Sequence, residues 1–383
     1  MVSKKTAIVT GATGQTGSYM CELLLSIGYT VIAATRRTSQ AIHSNLDRCF
    51  ELDKDARKRG VGPLFYIREF DLNDPHSIES LVRHYQPELF INLGAQTFVA
   101  DSWNSPVNHF NCNALGVLHC LESIRKHSPD TKFYNAGSSE EFGDVVESPQ
   151  NEDHPLRPRS PYGAAKAAAR HLVKVYRESY DLYAVQGILF NHESPRRQDY
   201  FVTRKITSHL AKMKLGLTEE PLELGNLEAR RDWTDARDMV KGILLMLNQD
   251  KPKDYVLASG KTRSVEEFVN AALLKLGDIV YPGRQDIANW RRELNWRGKG
   301  LDRRLTALED DKNKPVNGVV LDTLYMKEGR VFVKVNPEFF RPAEVDILHG
   351  DPTRAEKELG WKREIPFEQM VADMVEEDLK QWK

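Results

Sequence analysis

The chain has 383 residues, 40% of them hydrophobic, with 54 basic and 55 acidic side chains and a formal net charge of −1. That balance excludes a disordered chain and gives no electrostatic reason to expect nucleic acid or an anionic membrane as a partner. The length predicts one large domain with a lobe, or two domains.

The first element is a short apolar, β-branched run from Thr6 to Thr10, which reads as a buried strand. Gly11-Ala12-Thr13-Gly14-Gln15-Thr16-Gly17 follows, and apolar residues at helical spacing then run from Ser18 to Ile27 and stop at Gly28. A G-x-x-G-x-x-G loop between strand and helix suits a dinucleotide. Gly11 permits the turn, Gly14 lets the backbone approach a pyrophosphate, Gly17 lets the helix pack close to the sheet, and the helix N-terminus offers free N–H groups. Thr30 to Ala34 reads as a second strand and leads to Thr35-Arg36-Arg37. A guanidinium there, in place of an acid, suits a 2′-phosphate, so Arg36 points to NADP rather than NAD. Asp71 and Leu72, after Phe65 to Phe70, stand where an adenine contact or an ordinary turn is expected.

Phe90 to Leu93 and Lys132 to Asn135 read as later strands around a helix from Leu115 to Lys126. Ala164 to Tyr180 is helical and Ala184 to Phe190 is a strand. This alternation predicts an α/β fold, a Rossmann-type doubly wound parallel sheet covered on both faces. Beyond it the rhythm breaks. Phe201 to Leu215 is helical, Pro221 to Arg231 is loop or strand, Asp235 to Asn248 is helical, Asp254 to Ala258 is a strand, and Val265 to Leu276 is helical. The expected division is residues 1–190 as the nucleotide-binding domain and 191–383 as a smaller mixed α/β substrate lobe, with some segments returning to the sheet. A charged insertion is expected at about 284–328. Its basic stretch, Arg284 to Arg304, holds Arg291, Arg292, Arg297, Arg303 and Arg304 with Trp290 and Trp296, the ingredients of a nucleic-acid surface. The acidic residues that follow partly cancel it, so the expectation is a solvated face and no nucleic-acid partner.

The four cysteines, Cys21, Cys49, Cys112 and Cys120, show no C-x-x-C pair or zinc spacing, so free thiols in a reducing compartment and no metal are expected. The N-terminal residues lack the long apolar stretch of a signal peptide and no later run is long enough for a bilayer, which predicts a cytoplasmic protein.

Tyr162 and Lys166 fall four residues apart on one helical face. An ammonium beside a phenol favours phenolate, so Tyr162 is suited to take a proton from a substrate hydroxyl, and Lys166 can also hold a nicotinamide ribose. Ser138, at the end of the preceding strand, supplies a hydroxyl for the reacting oxygen. A carboxylate base comes from Glu140 or its neighbour Glu141, and the residues alone leave that choice open. Simple alcohol oxidation does not need this carboxylate.

The chain resembles the extended short-chain dehydrogenase/reductases, and within them the GDP-mannose 4,6-dehydratase family. The resemblance rests on Gly11–Tyr19, Arg36–Ser39, Asn92–Gln96, Ser138–Gly143, Arg159–Lys166, Gly187–Arg197, Phe201–Lys205, Leu224–Asp238 and Phe340–Asp346. It selects Glu140 as the base. It implies that Thr13, Gln15, Thr16, Leu93, Ala95, Leu189, His192 and Arg197 join the glycines at the cofactor. It implies that Gln96, Ser102, Asn191, Lys205, Arg231, Arg341 and Glu344 bind a GDP-sugar, with the cations on its phosphates. The implied reaction is redox-neutral: C4 gives hydride to NADP as Tyr162 takes the O4 proton, Glu140 removes the C5 proton, the C6 hydroxyl leaves as water, and hydride returns to C6. The family also implies a homo-dimer or homo-tetramer, with Arg37-Thr38-Ser39 at an interface. Thr16 stands where the family has Asp, Ser138 where it has Thr, and Phe142 where it has Tyr, which removes a hydroxyl expected near the site. Residues 97–103 also depart from the family pattern. The rival readings are another nucleotide-sugar enzyme on this scaffold (a GDP-heptose dehydratase, an epimerase or a reductase) and a non-catalytic NADP-binding protein. A reductase does not need Glu140, and the intact Ser138, Tyr162 and Lys166 set argues against the last.

Overall fold

The computed structural model describes residues 5–36, 44–276, 323–325, 331–339 and 347–383. The strands are β1 Thr6–Thr10, β2 Thr30–Thr35, β3 Phe65–Glu69, β4 Leu89–Asn92, β5 Lys132–Ala136, β6 Ala184–Leu189, β7 Asn191–Glu193, β8 Leu222–Leu224, β9 Arg230–Asp235, β10 Tyr255–Leu257, β11 Thr262–Ser264, β12 Thr323–Tyr325, β13 Val331–Val335 and β14 Ile347–Leu348. The helices are α1 Gln15–Ser26, α2 Asp47–Lys58, α3 Pro75–Tyr85, α4 Pro106–Phe110, α5 Gly116–His127, α6 Pro161–Ser179, α7 Val202–Lys214, α8 Ala236–Leu247, α9 Val265–Leu276, α10 Thr353–Leu359 and α11 Phe367–Gln381. The basic stretch 284–304, the insertion around it, Arg37 to Ser39, Arg341 and Glu344 lie outside the described residues.

The chain divides into two compact units. The first holds Met1–Arg196, Asp232–Thr262 and Leu348–Pro366. Its seven-stranded sheet has the order β10-β6-β5-β4-β1-β2-β3. The pairings β1–β2, β1–β4, β4–β5, β5–β6, β6–β10 and β2–β3 are all parallel. Such strands are buried on both faces, and β2, β4 and β6 accordingly read as almost unbroken apolar runs. Alternate side chains feed two cores. Ala7, Val9, Val31, Ala33 and Ile91 meet α1, α2 and α8 on one face, and Ile8, Ile32, Phe90 and Phe133 meet α3, α5 and α6 on the other. The strand order reverses between β1 and β4, where an open α/β sheet leaves a crevice at its C-terminal edge.

The segments that return to this unit are tied by buried carboxylates. Asp232 accepts the N–H groups of Ser259 (2.6 Å), Gly260 (2.9 Å) and Gly350 (3.3 Å). Asp238 accepts those of Glu364 (2.8 Å) and Ile365 (2.9 Å), while the Trp361 indole donates to the Asp238 carbonyl. Burying these carboxylates is tolerable because backbone donors replace the lost water. The Asp254–Ala258 run is therefore an edge strand of the main sheet, beside β6.

The second unit holds Arg197–Arg231, Arg263–Ile347 and Phe367–Lys383. In it α7, α9 and α11 pack together, and β13 lies parallel to β8 and antiparallel to β12. Arg204 and Asp378, both buried, form a 2.8 Å ion pair that ties α7 to α11.

Candidate active site

The glycine loop leaves β1 at Gly11, whose φ of +63 is a left-handed conformation that suits glycine. A Cβ there would lie 2.8 Å from the Leu93 carbonyl oxygen, so the loop is pressed against the end of β4. A Cβ on Gly17 would lie 2.1 Å from the Gly11 carbonyl oxygen. The close approach that Gly17 permits is therefore to the loop's own backbone at Gly11 and Ala12. Gly14 is the N-cap of α1 and no side chain caps the helix, so its first-turn N–H groups face the loop without a local carboxylate.

Thr16 and His192 meet here. Nδ1 of His192 is 3.0 Å from the Phe190 carbonyl and donates to it, so Nε2 accepts from the Thr16 hydroxyl at 2.8 Å. Gln15 donates to the His192 carbonyl (2.9 Å) and accepts from Ser194 (2.7 Å). These contacts bring together the two ends of the nucleotide-binding segment, 177 residues apart in sequence between Gln15 and His192. Two contributors had weaker sequence signals: Asn45 donates to the Thr13 carbonyl (3.1 Å), and Arg196 pairs with Glu22 on α1 (2.5 Å) and stacks 4.0 Å from the Tyr19 ring. Arg196 is flagged only by the Pro-Arg-Arg sequence, where Arg197 drew the expectation. Arg197 lies in the second unit, its guanidinium 3.5 Å from the Phe201 ring centre. Arg36 is exposed just past β2. Asp71 accepts the Asn73 N–H, and the Leu72 side chain is buried in the core, so any adenine contact at Leu72 runs through its backbone. Leu189 is buried, and Ala95 is partly exposed.

The second half of the site begins where β5 ends. Ser138 caps a single helical turn, Ser139–Glu141, and its hydroxyl oxygen accepts the Glu140 N–H at 3.2 Å. The hydroxyl proton then remains for another acceptor. Glu141 turns inward. It is wholly buried, accepts the Ser138 N–H and the Gln186 amide at 2.8 Å each, and is pushed up to about 7 by that burial, against the opposing pull of Arg170. Glu140 is partly exposed. The Glu140/Glu141 alternative thus divides by burial: only Glu140 presents a solvent-reachable carboxylate.

Helix α6 starts with Ser160 as N-cap, accepting the Gly163 N–H at 3.0 Å, and with Pro161 in its first position. Tyr162 therefore sits in the first turn. A Cβ on Gly163 would lie 2.5 Å from the Glu140 carbonyl oxygen, so this turn rests on the Ser138–Glu141 turn. One helical turn further, Lys166 is buried, donates to the Ala136 carbonyl at 2.8 Å, and lies 5.8 Å from the Tyr162 ring centre. Burial holds the Lys166 ammonium below its usual range, and the Glu141 charge opposes that. Ser138, Glu140, Tyr162 and Lys166 thus form one cluster.

Across from Tyr162 stands a pair that no motif announced. His109, fully buried on α4, meets the Tyr162 ring edge-on with centres 6.3 Å apart and lies 3.4 Å from the half-exposed Asp101. Gln96 is held by Asn113, which accepts its N–H and donates to its carbonyl, both at 2.9 Å. Ser102 is fully buried and its hydroxyl donates to the Val99 carbonyl at 2.6 Å, which braces its own turn. Phe142 is fully buried, its ring centre 5.1 Å from that of His154 and 6.1 Å from that of Phe190.

Asn191 opens β7, pairing with Trp233. Lys205 and Arg231 belong to the second unit. Lys205 lies 4.0 Å from the Phe339 ring centre, and its ammonium is held below its usual range by burial. Arg231 is buried and donates to the Arg230 carbonyl at 2.9 Å.

Comparison with known proteins places the chain in a family. The family model for GDP-mannose 4,6 dehydratase matches residues 8–374. The chain belongs to the GDP-mannose 4,6-dehydratase family. It is 42% identical to the GDP-mannose 4,6-dehydratase of Yersinia enterocolitica, over 99% of this chain and 95% of that one. It is 44% identical to one from Vibrio cholerae over 99% and 95%, and 38% identical to the human one over 98% and 92%. Among solved structures, a UDP-glucose 4-epimerase from Thermotoga maritima superposes with a TM-score of 0.74 at 20% identity, over 99% of this chain and all of that one. The dTDP-glucose 4,6-dehydratase of Bacillus anthracis does so with 0.71 at 16%, over 98% and 97%. These structures share the fold. No helix among the described residues is long and apolar enough to cross a membrane, and all four cysteines are free and buried.

Proposed function

We propose that the protein is a GDP-mannose 4,6-dehydratase that works with NADP and yields the GDP-4-keto-6-deoxy sugar. The carrying observation is the cluster itself: α6 sets Tyr162 on the Ser138–Glu141 turn, Lys166 holds Ala136, and Glu140 is the one carboxylate of that turn left open. Curated relatives of that name, matched over nearly their full length, support the substrate. The loop fits a dinucleotide, since Gly11 and Gly17 leave a cradle that Cβ atoms would fill and α1 offers an uncapped N-terminus. When bound, the nicotinamide supplies a reversible hydride acceptor. Arg36 favours NADP by offering a cation to a 2′-phosphate.

The chain's own groups then divide the proton work. Lys166 stabilises Tyr162 as phenolate, and Tyr162 takes the O4 proton while Ser138 donates its hydroxyl to the same oxygen. A carbonyl at C4 acidifies the C5 proton. Glu140 removes that proton and returns one to the departing C6 hydroxyl, which requires a carboxylate able to act in both states. By the family resemblance, Gln96 lies near the sugar, Asn191 and Lys205 contact the diphosphate, Arg231 and Arg341 clamp the phosphates or the sugar, and Glu344 holds the nucleotide ribose or base. The family supports a homo-dimer or homo-tetramer, and four free thiols fit a reducing compartment.

The test is incubation of the purified protein with GDP-mannose and NADP, read by mass spectrometry and nicotinamide absorbance. Loss of one water without net NADPH is expected. NADPH accumulating in step with product, or GDP-mannose left intact while another GDP-sugar loses water, refutes the assignment.

A further inference from the structure

Four neighbouring parallel strands each place one polar side chain in a single buried row. The Leu93 and Gly94 N–H groups donate to the Thr10 hydroxyl at 3.1 and 2.9 Å, and that hydroxyl donates to Asn92 Oδ1 at 2.6 Å. Asn92 Nδ2 donates to Asn135 Oδ1 (2.9 Å), Asn135 Nδ2 to Gln186 Oε1 (2.7 Å), and Gln186 Nε2 to Glu141 Oε1 (2.8 Å). Thr10, Asn135, Gln186 and Glu141 are 0% exposed and Asn92 is 2%. Every bond in the row donates toward Glu141. A carboxylate only accepts when ionised, so one anion at the end fixes the orientation of all three amides and of the hydroxyl. In a low-dielectric interior such a chain is mutually polarised, and a flipped member would leave two donors face to face.

The two ends of the row matter. At one end, Leu93 and Gly94 are the residues against which Gly11 of the glycine loop is pressed. At the other, Glu141 and Lys166 grip the same three-residue segment. Lys166 donates to the Ala136 carbonyl at 2.8 Å, Glu141 accepts the Ser138 N–H at 2.8 Å, and a Cβ on Gly137 between them would lie 2.6 Å from Glu141 Oε1.

We propose that Glu141 is a positioning residue: through this row it fixes the Ser138 turn in register with the glycine loop, and it serves as the counter-charge that keeps Lys166 cationic. The inference rests on the catalytic reading of Ser138 and Lys166 given above. The charged and titratable groups around Glu141 are Arg170 on α6 at 4.0 Å, Lys166 on the same helix, the buried Tyr134 phenol on β5, and Glu140 beside it in sequence. Arg170 is itself tied to the Glu152 carbonyl (2.6 Å), and around Lys166 the other groups are Tyr162 and the Cys112 thiol. Among the groups that raise Lys166 against its burial, Glu141 acts most strongly, ahead of Cys112.

The experiment uses the full chain with 13C-labelled lysine side chains. The Lys166 signal, identified by its loss in Lys166→Arg, is titrated in the wild type and in Glu141→Gln. The variant keeps an oxygen for Ser138 and removes the charge, so the Lys166 midpoint is expected to fall by about one pH unit or more. The alkaline limb of kcat/KM for water loss from GDP-mannose falls with it. Equal Lys166 midpoints in the two proteins overturn the counter-charge role. Gln186→Met breaks the row but leaves the carboxylate. Its kcat is expected to drop about tenfold or more with little change in KM and with the Lys166 midpoint unmoved. Wild-type kcat in that variant overturns the positioning role. If Glu141→Gln does not fold, the wild-type titration decides: Lys166 must show a second step as Glu141 takes up its proton, and a single-step curve overturns the pairing. The lysine titration needs no substrate. A protein that leaves GDP-mannose intact yet shows the Lys166 shift would sink the functional reading and keep the Glu141 assignment.

Discussion

Replacing Glu141 by Gln should change how stability depends on pH, in a direction fixed by its burial. The carboxyl is 0% exposed and is pushed up to about 7 from an ordinary 4.5. Between those values the folded chain holds a proton that the unfolded chain has released, so folding stability falls as pH rises. The slope is about 1.36 kcal/mol per pH unit where the two states differ by a full proton, which gives roughly 2 to 3 kcal/mol between about pH 5 and about pH 8. A glutamine does not titrate. The stability of Glu141→Gln relative to wild type should therefore climb by about that amount over this range and flatten above it. Taking the difference between the two proteins cancels the titrating groups that do not interact with Glu141. The assay is urea unfolding at several pH values, comparing midpoints at matched slopes. A difference that stays flat from acid to alkaline pH, or one that shrinks as pH rises, refutes the idea that Glu141 pays a burial penalty as an anion.

Glu140→Gln should abolish water loss while leaving NADP affinity unchanged, because Glu140 lies on the turn after β5 and not in the glycine loop. Normal turnover in that variant, followed by mass spectrometry, would remove Glu140 from the mechanism. Gly17→Ala should weaken NADP binding by about tenfold or more, since the new Cβ starts 2.1 Å from the Gly11 carbonyl and the loop must shift by about an ångström. A fluorescence titration with an unchanged Kd contradicts this. Arg36→Asp should move the NADP/NAD affinity ratio toward NAD by about tenfold, the loss of one charge-assisted phosphate contact. An unmoved ratio means that Arg36 does not meet the 2′-phosphate.

The family and the doubly wound sheet were legible because their signals are local. A glycine loop works through the conformation of a few consecutive residues, and strands buried on both faces leave apolar runs that any pairing order would need. The Tyr162–Lys166 spacing is likewise a property of one helix. Element ends were less legible. Helix α6 begins at Pro161 rather than Ala164, because the Ser160 cap and Pro161 set its start before the apolar periodicity becomes visible. Which of two adjacent glutamates faces inward was not legible at all. Glu140 and Glu141 are chemically the same, and the choice belongs to Gln186, on a strand about 45 residues downstream, which pairs with one of them. The burial of Ser102 and Phe142 was hidden for the same reason, since exposure is decided by neighbours that the local sequence does not contain.

The sequence by itself determined what depends on backbone conformation and periodicity: the strand–loop–helix that opens the chain, the parallel α/β class, and a phenol and an ammonium on one helical face. Only the tertiary structure decided how residues 232–262 and 348–366 rejoin the first unit through Asp232 and Asp238. It alone decided that Thr10, Asn92, Asn135 and Gln186 form one row ending on Glu141. Each of those four residues is an ordinary polar side chain within its own strand, and a row perpendicular to parallel strands comes into being only when the sheet sets their register.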